Sequence, residues 1–64
     1  MKATLNNIKI GTKVLTGKNI ITIVEDSKKY FKGYFIYKGI KRNVLLNKKN
    51  FSNPHYMNTY FIAK

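Results

Sequence analysis

Residues 29–37 of this 64-residue chain read KYFKGYFIY, a stretch in which aromatic rings recur on both faces of any β-strand that it forms. Successive side chains of a strand point to opposite faces, so the stretch divides into two sets. Phe31, Gly33, Phe35 and Tyr37 share one face, and the first three of them are predicted to supply the core. The other set mixes rings with a cation and is predicted to face outward: Tyr30, Lys32, Tyr34 and Ile36. The segment therefore predicts a half-buried strand.

Four further strands are predicted around this one, over residues 8–16, 19–25, 40–47 and 55–63. They are separated by residues typical of tight turns: Gly17-Lys18-Asn19, Asp26-Ser27-Lys28 and Lys38-Gly39. In the first strand, alternation places Ile8, Ile10 and Val14 on one face, with Gly11 as a bulge. Residues 1–7 are predicted to be irregular.

No apolar period of 3.6 residues persists along the chain, so no long helix is predicted. Residues 47–52 break the strand alternation and predict one short helical turn. That turn should stop before Asn53-Pro54, because a residue that precedes proline disfavours the helical region. The whole chain, residues 1–64, is predicted to be a single all-β domain.

Short strands with tight turns indicate a small five-stranded barrel or a curved antiparallel sheet. A meander of four strands, one helical turn near LNKKNF and a closing strand resembles the arrangement of SH3-like barrels. We expect an SH3-like fold in preference to an OB-like five-stranded barrel, and a hairpin-rich α+β fold is the third alternative. The chain has no cysteine, so disulfide frameworks and cysteine-ligated metals are excluded.

The charge is strongly unbalanced, with 13 Lys and Arg, two acids and a formal net charge of +11. Codon bias towards A and T inflates lysine, but it does not remove carboxylates, so the scarcity of acids is the firmer signal. A surface this basic repels itself unless it meets a polyanion, and nucleic acid is the commonest such partner.

Catalytic chemistry lacks its usual groups. His55 is the single histidine, and the two acids, Glu25 and Asp26, are neighbours that point to opposite faces of an extended chain. The four glycines are isolated and match no phosphate-binding loop. We therefore expect no enzyme, no catalytic residues, no cofactor and no metal site.

Basic and aromatic residues are interleaved around the third strand, the pattern with which proteins hold phosphates and stack bases. Two lysines of the helical turn extend the set, since such a turn aims N–H groups at a phosphate. For the tyrosines, packing in the core is the alternative to base stacking. The predicted nucleic-acid-binding residues are Lys28, Lys29, Tyr30, Lys32, Tyr34, Lys38, Lys41, Arg42, Lys48 and Lys49.

The sequence thus predicts a non-catalytic, basic protein that binds DNA or RNA mainly through phosphates, with little sequence dependence. The alternative is a small factor of a phage or mobile element that inhibits or adapts an acidic host protein or nucleoprotein complex. For that role, residues 56–62 would add as a strand to another sheet, and an edge strand also makes a homodimer possible. With no signal peptide and no apolar run of membrane-spanning length, a cytoplasmic protein without membrane contact is expected.

Overall fold

The computed structural model describes residues 1–56 and 58–63, which form an all-β domain. Its elements are listed here in chain order: β1 (Lys13–Thr16), β2 (Asn19–Asp26), β3 (Tyr30–Tyr37), β4 (Ile40–Asn47), a 3₁₀ turn (Lys48–Phe51) and β5 (Tyr60–Ile62). All neighbouring strands are antiparallel, and their order across the single sheet is β4-β3-β2-β1-β5. The sheet is not closed, because β4 and β5 lie at its two edges.

β2, β3 and β4 confirm their predicted bounds to within one residue at each end. β3 and β4 are joined by Lys38 and Gly39, whose φ angles are 51° and 77°. Two positive φ angles in succession are those of a type I′ turn, whose twist matches that of the strands. The predicted helical turn is confirmed as the 3₁₀ turn, and Asn47 caps it by accepting a hydrogen bond from Lys49 N. This turn is the one helical element of the described residues, and no helix there could cross a membrane.

The first strand is shorter than predicted, and the prediction for Ile10 is wrong. Lys9 N donates to Thr12 Oγ1 and Thr12 N donates to Lys9 O, so residues 9–12 form a turn. Gly11 adopts φ 94° within it, a left-handed conformation that rotates Ile10 away from the core. Ile10 is consequently 69% exposed, whereas Ile8 is buried as predicted.

The last strand is also shorter, three residues in place of the predicted nine at 55–63. Asn53 Oδ1 accepts from His55 N, and Tyr56 N donates to Asn53 O, so this part of the segment turns instead of extending. The predicted strand also included Met57, which lies outside the described residues. At the opposite end of the chain, Ala3 N donates to Tyr60 O at 2.9 Å, which ties the first residues to β5.

The core is aromatic and small. The 3₁₀ turn places Phe51 beneath the sheet, where its ring stacks on Tyr60 with centroids 4.5 Å apart and meets Phe31 edge-on at 5.6 Å. Asn50 Nδ2 lies 3.4 Å from Tyr60 Oη and satisfies that hydroxyl. The chain has no cysteine, so disulfides cannot stabilise this small domain, and the large buried rings supply apolar area in their place. The buried residues are Ala3, Ile8, Val14, Ile21, Ile23, Phe31, Leu46, Phe51 and Tyr60.

The two halves of β2 pair with different strands, and this division determines which part of β3 lacks a partner on the β2 side. Residues 19–22 of β2 pair with β1, residues 22–26 pair with β3, and the register shifts between Ile23 and Glu25. Pairing of β3 with β2 ends at Tyr34, whereas its pairing with β4 continues to Tyr37. The far end of the β3–β4 hairpin therefore extends beyond the part of β2 that pairs with β3.

Candidate nucleic-acid interface

The ten residues predicted from the sequence do not form one surface. They fall at three places: the outer face of β3 and β4, the end of the sheet that carries the 3₁₀ turn, and the far end of the β3–β4 hairpin. Each place combines cations with aromatic rings, and the three places differ in how far those rings are exposed.

The outer face carries the predicted row of Tyr30, Lys32 and Tyr34. Both tyrosines are half-buried, while Lys32 is exposed. Lys41 comes from β4 and places Nζ 4.5 Å from the centroid of the Tyr34 ring. A cation over a ring is worth about 0.5–1 kcal/mol at exposed sites. The exposed face of Tyr34 is therefore already in contact with a lysine, and the row offers cations more readily than free rings.

The second place is a lysine cluster, which we define as Lys28, Lys29, Lys48 and Lys49. The first two lie in the β2–β3 turn and the last two in the 3₁₀ turn, and together with Asn47 they line a concavity of about 290 Å³. Lys48 N donates to Lys29 O at 2.9 Å, which holds the two segments together. Residues about twenty positions apart in sequence thus converge on one cationic end of the sheet.

Both acids of the chain lie at this same end. Lys48 Nζ donates to Asp26 Oδ1 at 2.5 Å and lies 4.7 Å from the centre of the Phe31 ring. Glu25 faces Lys32 across the β2–β3 pairing and accepts a hydrogen bond from Ser27 Oγ. The cluster is therefore partly neutralised.

The expectation that the helical turn aims free N–H groups at a phosphate is wrong for its first two residues. Lys48 N donates to Lys29 O, and Lys49 N donates to the side chain of Asn47. Both N–H groups are used within the protein, so the turn contributes its lysine side chains and not its backbone.

The third place is a cleft that the sequence reasoning missed. Arg42 lies directly opposite Phe35 in the β3–β4 register, so it is on the inner face and not beside Tyr34. Beyond Tyr34, where the pairing of β3 with β2 ends, this inner face is open. The hairpin cleft, about 370 Å³ in volume, is lined by Lys18, Asn19, Phe35, Tyr37 and Arg42.

The rings of this cleft are accessible to different degrees. Phe35 is half-buried, and Tyr37 is 50% exposed. Lys38, at the tip of the hairpin, places Nζ 5.4 Å from the Tyr37 ring centroid. No acid lines the cleft. Alternation had placed both rings on the core side, which is correct for the face but overlooks that the pairing of β3 with β2 ends at Tyr34, before either ring.

Every Lys and Arg among the described residues is exposed, apart from the half-buried Lys48. Within residues 1–56 and 58–63 there is no group of three or more His, Cys, Asp or Glu side chains placed to hold a metal ion. No protein-family model matches the chain, and neither a curated protein nor a solved structure gives a significant match. The functional inference therefore rests on the chemistry of the three basic places.

Proposed function

We propose that this protein is a small, non-catalytic nucleic-acid-binding protein that contacts phosphates with little dependence on base sequence. The observation that carries the proposal is the separation of charge on the surface. The described cations project from both faces and both ends of the sheet, whereas Glu25 and Asp26 lie together at one end. Such a surface gains free energy by replacing the counterions of a polyanion.

Low sequence dependence follows from the kinds of side chain that are present. Arg42 is the single arginine, and arginine is the residue that most often reads a guanine edge with two hydrogen bonds. Lysines act as point charges that neutralise phosphates and carry little sequence information. DNA and RNA present the same phosphate groups, so the proposed binding extends to both nucleic acids.

We also infer an SH3-like arrangement in preference to an OB-like one. Three features support it: the four-strand meander β1–β4, the 3₁₀ turn directly after β4, and the return of β5 to pair with β1. These are the features by which the sequence resembled SH3-like barrels.

Binding is tested by fluorescence anisotropy with labelled random single-stranded and double-stranded oligonucleotides between about 50 and 200 mM salt. Neutralisation of about four phosphates predicts a slope of log K against log salt of roughly −3 to −4. A variant in which Lys28 and Lys49 are changed to glutamine should bind more weakly with a shallower slope. A native protein that binds neither oligonucleotide at about 50 mM salt would refute the proposal.

A second candidate function, the binding of a protein partner, is supported by the free edge of β4. Among the described residues no strand pairs with the outer edge of this eight-residue strand, and Leu45 and Ile40 on it are 57% and 55% exposed. An extended segment of an acidic protein, or a second copy of this chain, would add there as a strand. The test is retention of one stoichiometric protein after nuclease treatment, with loss of that protein in Leu45→Lys, because an edge lysine opposes strand addition.

A further inference from the structure

We infer that the hairpin cleft binds one unpaired base of a single-stranded nucleic acid, with the adjoining phosphates held by Arg42 and Lys18. This inference rests on the proposed function and adds to it a preference for single strands over duplexes. It concerns residues that the charge pattern of the sequence did not single out, namely Lys18, Asn19, Phe35 and Tyr37.

The spacing of the two rings fits a base. Phe35 and Tyr37 are two positions apart on one face of β3, so their side chains leave the strand about 6.6–6.8 Å apart. Stacked bases repeat about every 3.4 Å along a strand. One base between the two rings, or on the exposed Tyr37 with Phe35 as the floor, therefore satisfies stacking distances. The volume of about 370 Å³ lies within the range of about 300–1,000 Å³ that is typical of small-ligand sites.

The polar groups of the cleft suit a nucleotide. Arg42 projects beside Phe35 in the β3–β4 hairpin, and Lys18 approaches from the β1–β2 turn. The cleft therefore has a cation from each of two hairpins. The guanidinium of Arg42 is able to hold a phosphate with two hydrogen bonds. The side-chain amide of Asn19 offers both a donor and an acceptor to a base edge.

The other two basic places lack this combination. At the lysine cluster the nearest ring, Phe31, is 1% exposed and is covered by Lys48, which is paired with Asp26. On the outer face, Lys41 lies over the half-buried Tyr34. At the hairpin cleft, Lys38 Nζ lies farther from its ring, 5.4 Å from the Tyr37 centroid, and Tyr37 remains 50% exposed. Among the described residues, this cleft is thus the basic concavity with an exposed ring and no acid in its lining.

A duplex cannot use the cleft as it stands. Its bases are paired and stacked inside the helix, and the extrusion of one base costs a few kcal/mol. Phosphate contacts remain possible for a duplex, so it should still bind, but without the contribution of stacking.

The test compares Tyr37→Leu with Tyr56→Leu. Tyr56 is a matched control because it is 49% exposed, against 50% for Tyr37, and it does not line the cleft. The ligands are a mixed-sequence decamer, its complementary decamer and the duplex of the two, each titrated at about 100 mM salt. Circular dichroism confirms that both variants are folded.

For the single strands, Tyr37→Leu should weaken binding roughly 5- to 150-fold, which corresponds to about 1–3 kcal/mol for one stacked base. Its salt slope should stay the same, since no charge is removed. Duplex affinity should be unchanged in Tyr37→Leu, and Tyr56→Leu should match the native protein on every ligand. Arg42→Gln should instead make the single-strand slope shallower by about 0.7.

A Tyr37→Leu variant that binds single strands as tightly as the native protein, or that loses no more than Tyr56→Leu, overturns the inference. Equal native affinity for single strands and duplex overturns it as well, while leaving the proposed function standing. A nucleoside monophosphate that competes at the same concentration as the decamer would assign the cleft to free nucleotides instead. Absence of all oligonucleotide binding at about 50 mM salt is a different result, because it refutes the proposed function itself.

Discussion

Replacement of Gly33 by alanine tests the geometry on which the candidate sites depend. Gly33 lies in the middle of β3, opposite Ile23 of β2 and Val44 of β4. A Cβ at this position would lie 2.5 Å from Thr22 O and 2.7 Å from Ile21 Cγ2. The nearer atom is a backbone oxygen of a paired strand, so it cannot rotate away as a flexible side chain would.

The expected cost follows from the size of the overlap. Ordinary contacts of a Cβ begin near 3.4 Å, so β2 and β3 would have to separate by about 0.9 Å at the point of closest approach. Overpacking of this kind typically costs about 1–3 kcal/mol. In a domain of 60–100 residues each kcal/mol lowers the Tm by about 4–8 °C, so Gly33→Ala should melt roughly 4–24 °C below the native protein.

Thermal unfolding followed by circular dichroism measures this difference. The matched control is Gly39→Asn, because nothing lies within 4 Å of a Cβ at Gly39 and asparagine tolerates its φ of 77° better than most residues. The control should change the Tm by no more than a few degrees. Equal melting temperatures for Gly33→Ala and the native protein would refute the close approach of β2 to β3 at this position.

Two further predictions concern charge and core. Asp26→Asn should cost less than about 1 kcal/mol of stability, because both partners of the ion pair with Lys48 remain in contact with solvent, which screens it. It should also steepen the salt slope of binding by about 0.7–0.9, because one lysine is freed for a phosphate; an unchanged slope in the salt titration would contradict the partial neutralisation of the lysine cluster. Phe51→Ala should lower the free energy of unfolding by about 3–5 kcal/mol in chemical denaturation, since it removes the buried ring at the centre of the aromatic core. Phe61→Ala removes a ring that is 42% exposed and should lower it far less. Similar losses of stability at both positions would show that the 3₁₀ turn does not anchor the core.

The central part of the fold follows from local sequence. The alternation of β3 and β4 determines their faces, and Lys38-Gly39 determines their turn, so the register between them is a local property. That register places Arg42 opposite Phe35, on the inner face. The two-residue turn Lys38-Gly39 is the sequence signal from which this position of Arg42 could have been predicted. The predicted binding set grouped Arg42 with the outer-face residues because it counted charges by proximity in sequence and not by face.

The side of the sheet formed by β1 and β5 depends on partners that are distant in sequence. β1 and β5 are four and three residues long, and each is defined by its pairing with the other as much as by its own pattern. Alternation alone extended both strands, to residues 8–16 and 55–63. The lysine cluster and the end of the β2–β3 pairing at Tyr34 are likewise not set by local alternation, since they depend on contacts between segments that no local period links.

The positions of the two acids make the charge of the surface unequal at the two ends of the sheet. Asp26 pairs with Phe31, and Phe35 lies four residues further along β3, which corresponds to about 13 Å of strand. Exposed charges separated by more than about 8 Å are largely screened at physiological salt. The acids therefore reduce the attraction of the lysine cluster for phosphates but leave Lys18 and Arg42 uncompensated. If the protein binds single strands as proposed, the strand should be attracted most strongly at the end where Tyr37 is exposed, so the asymmetry of charge and the position of the exposed ring favour the same cleft.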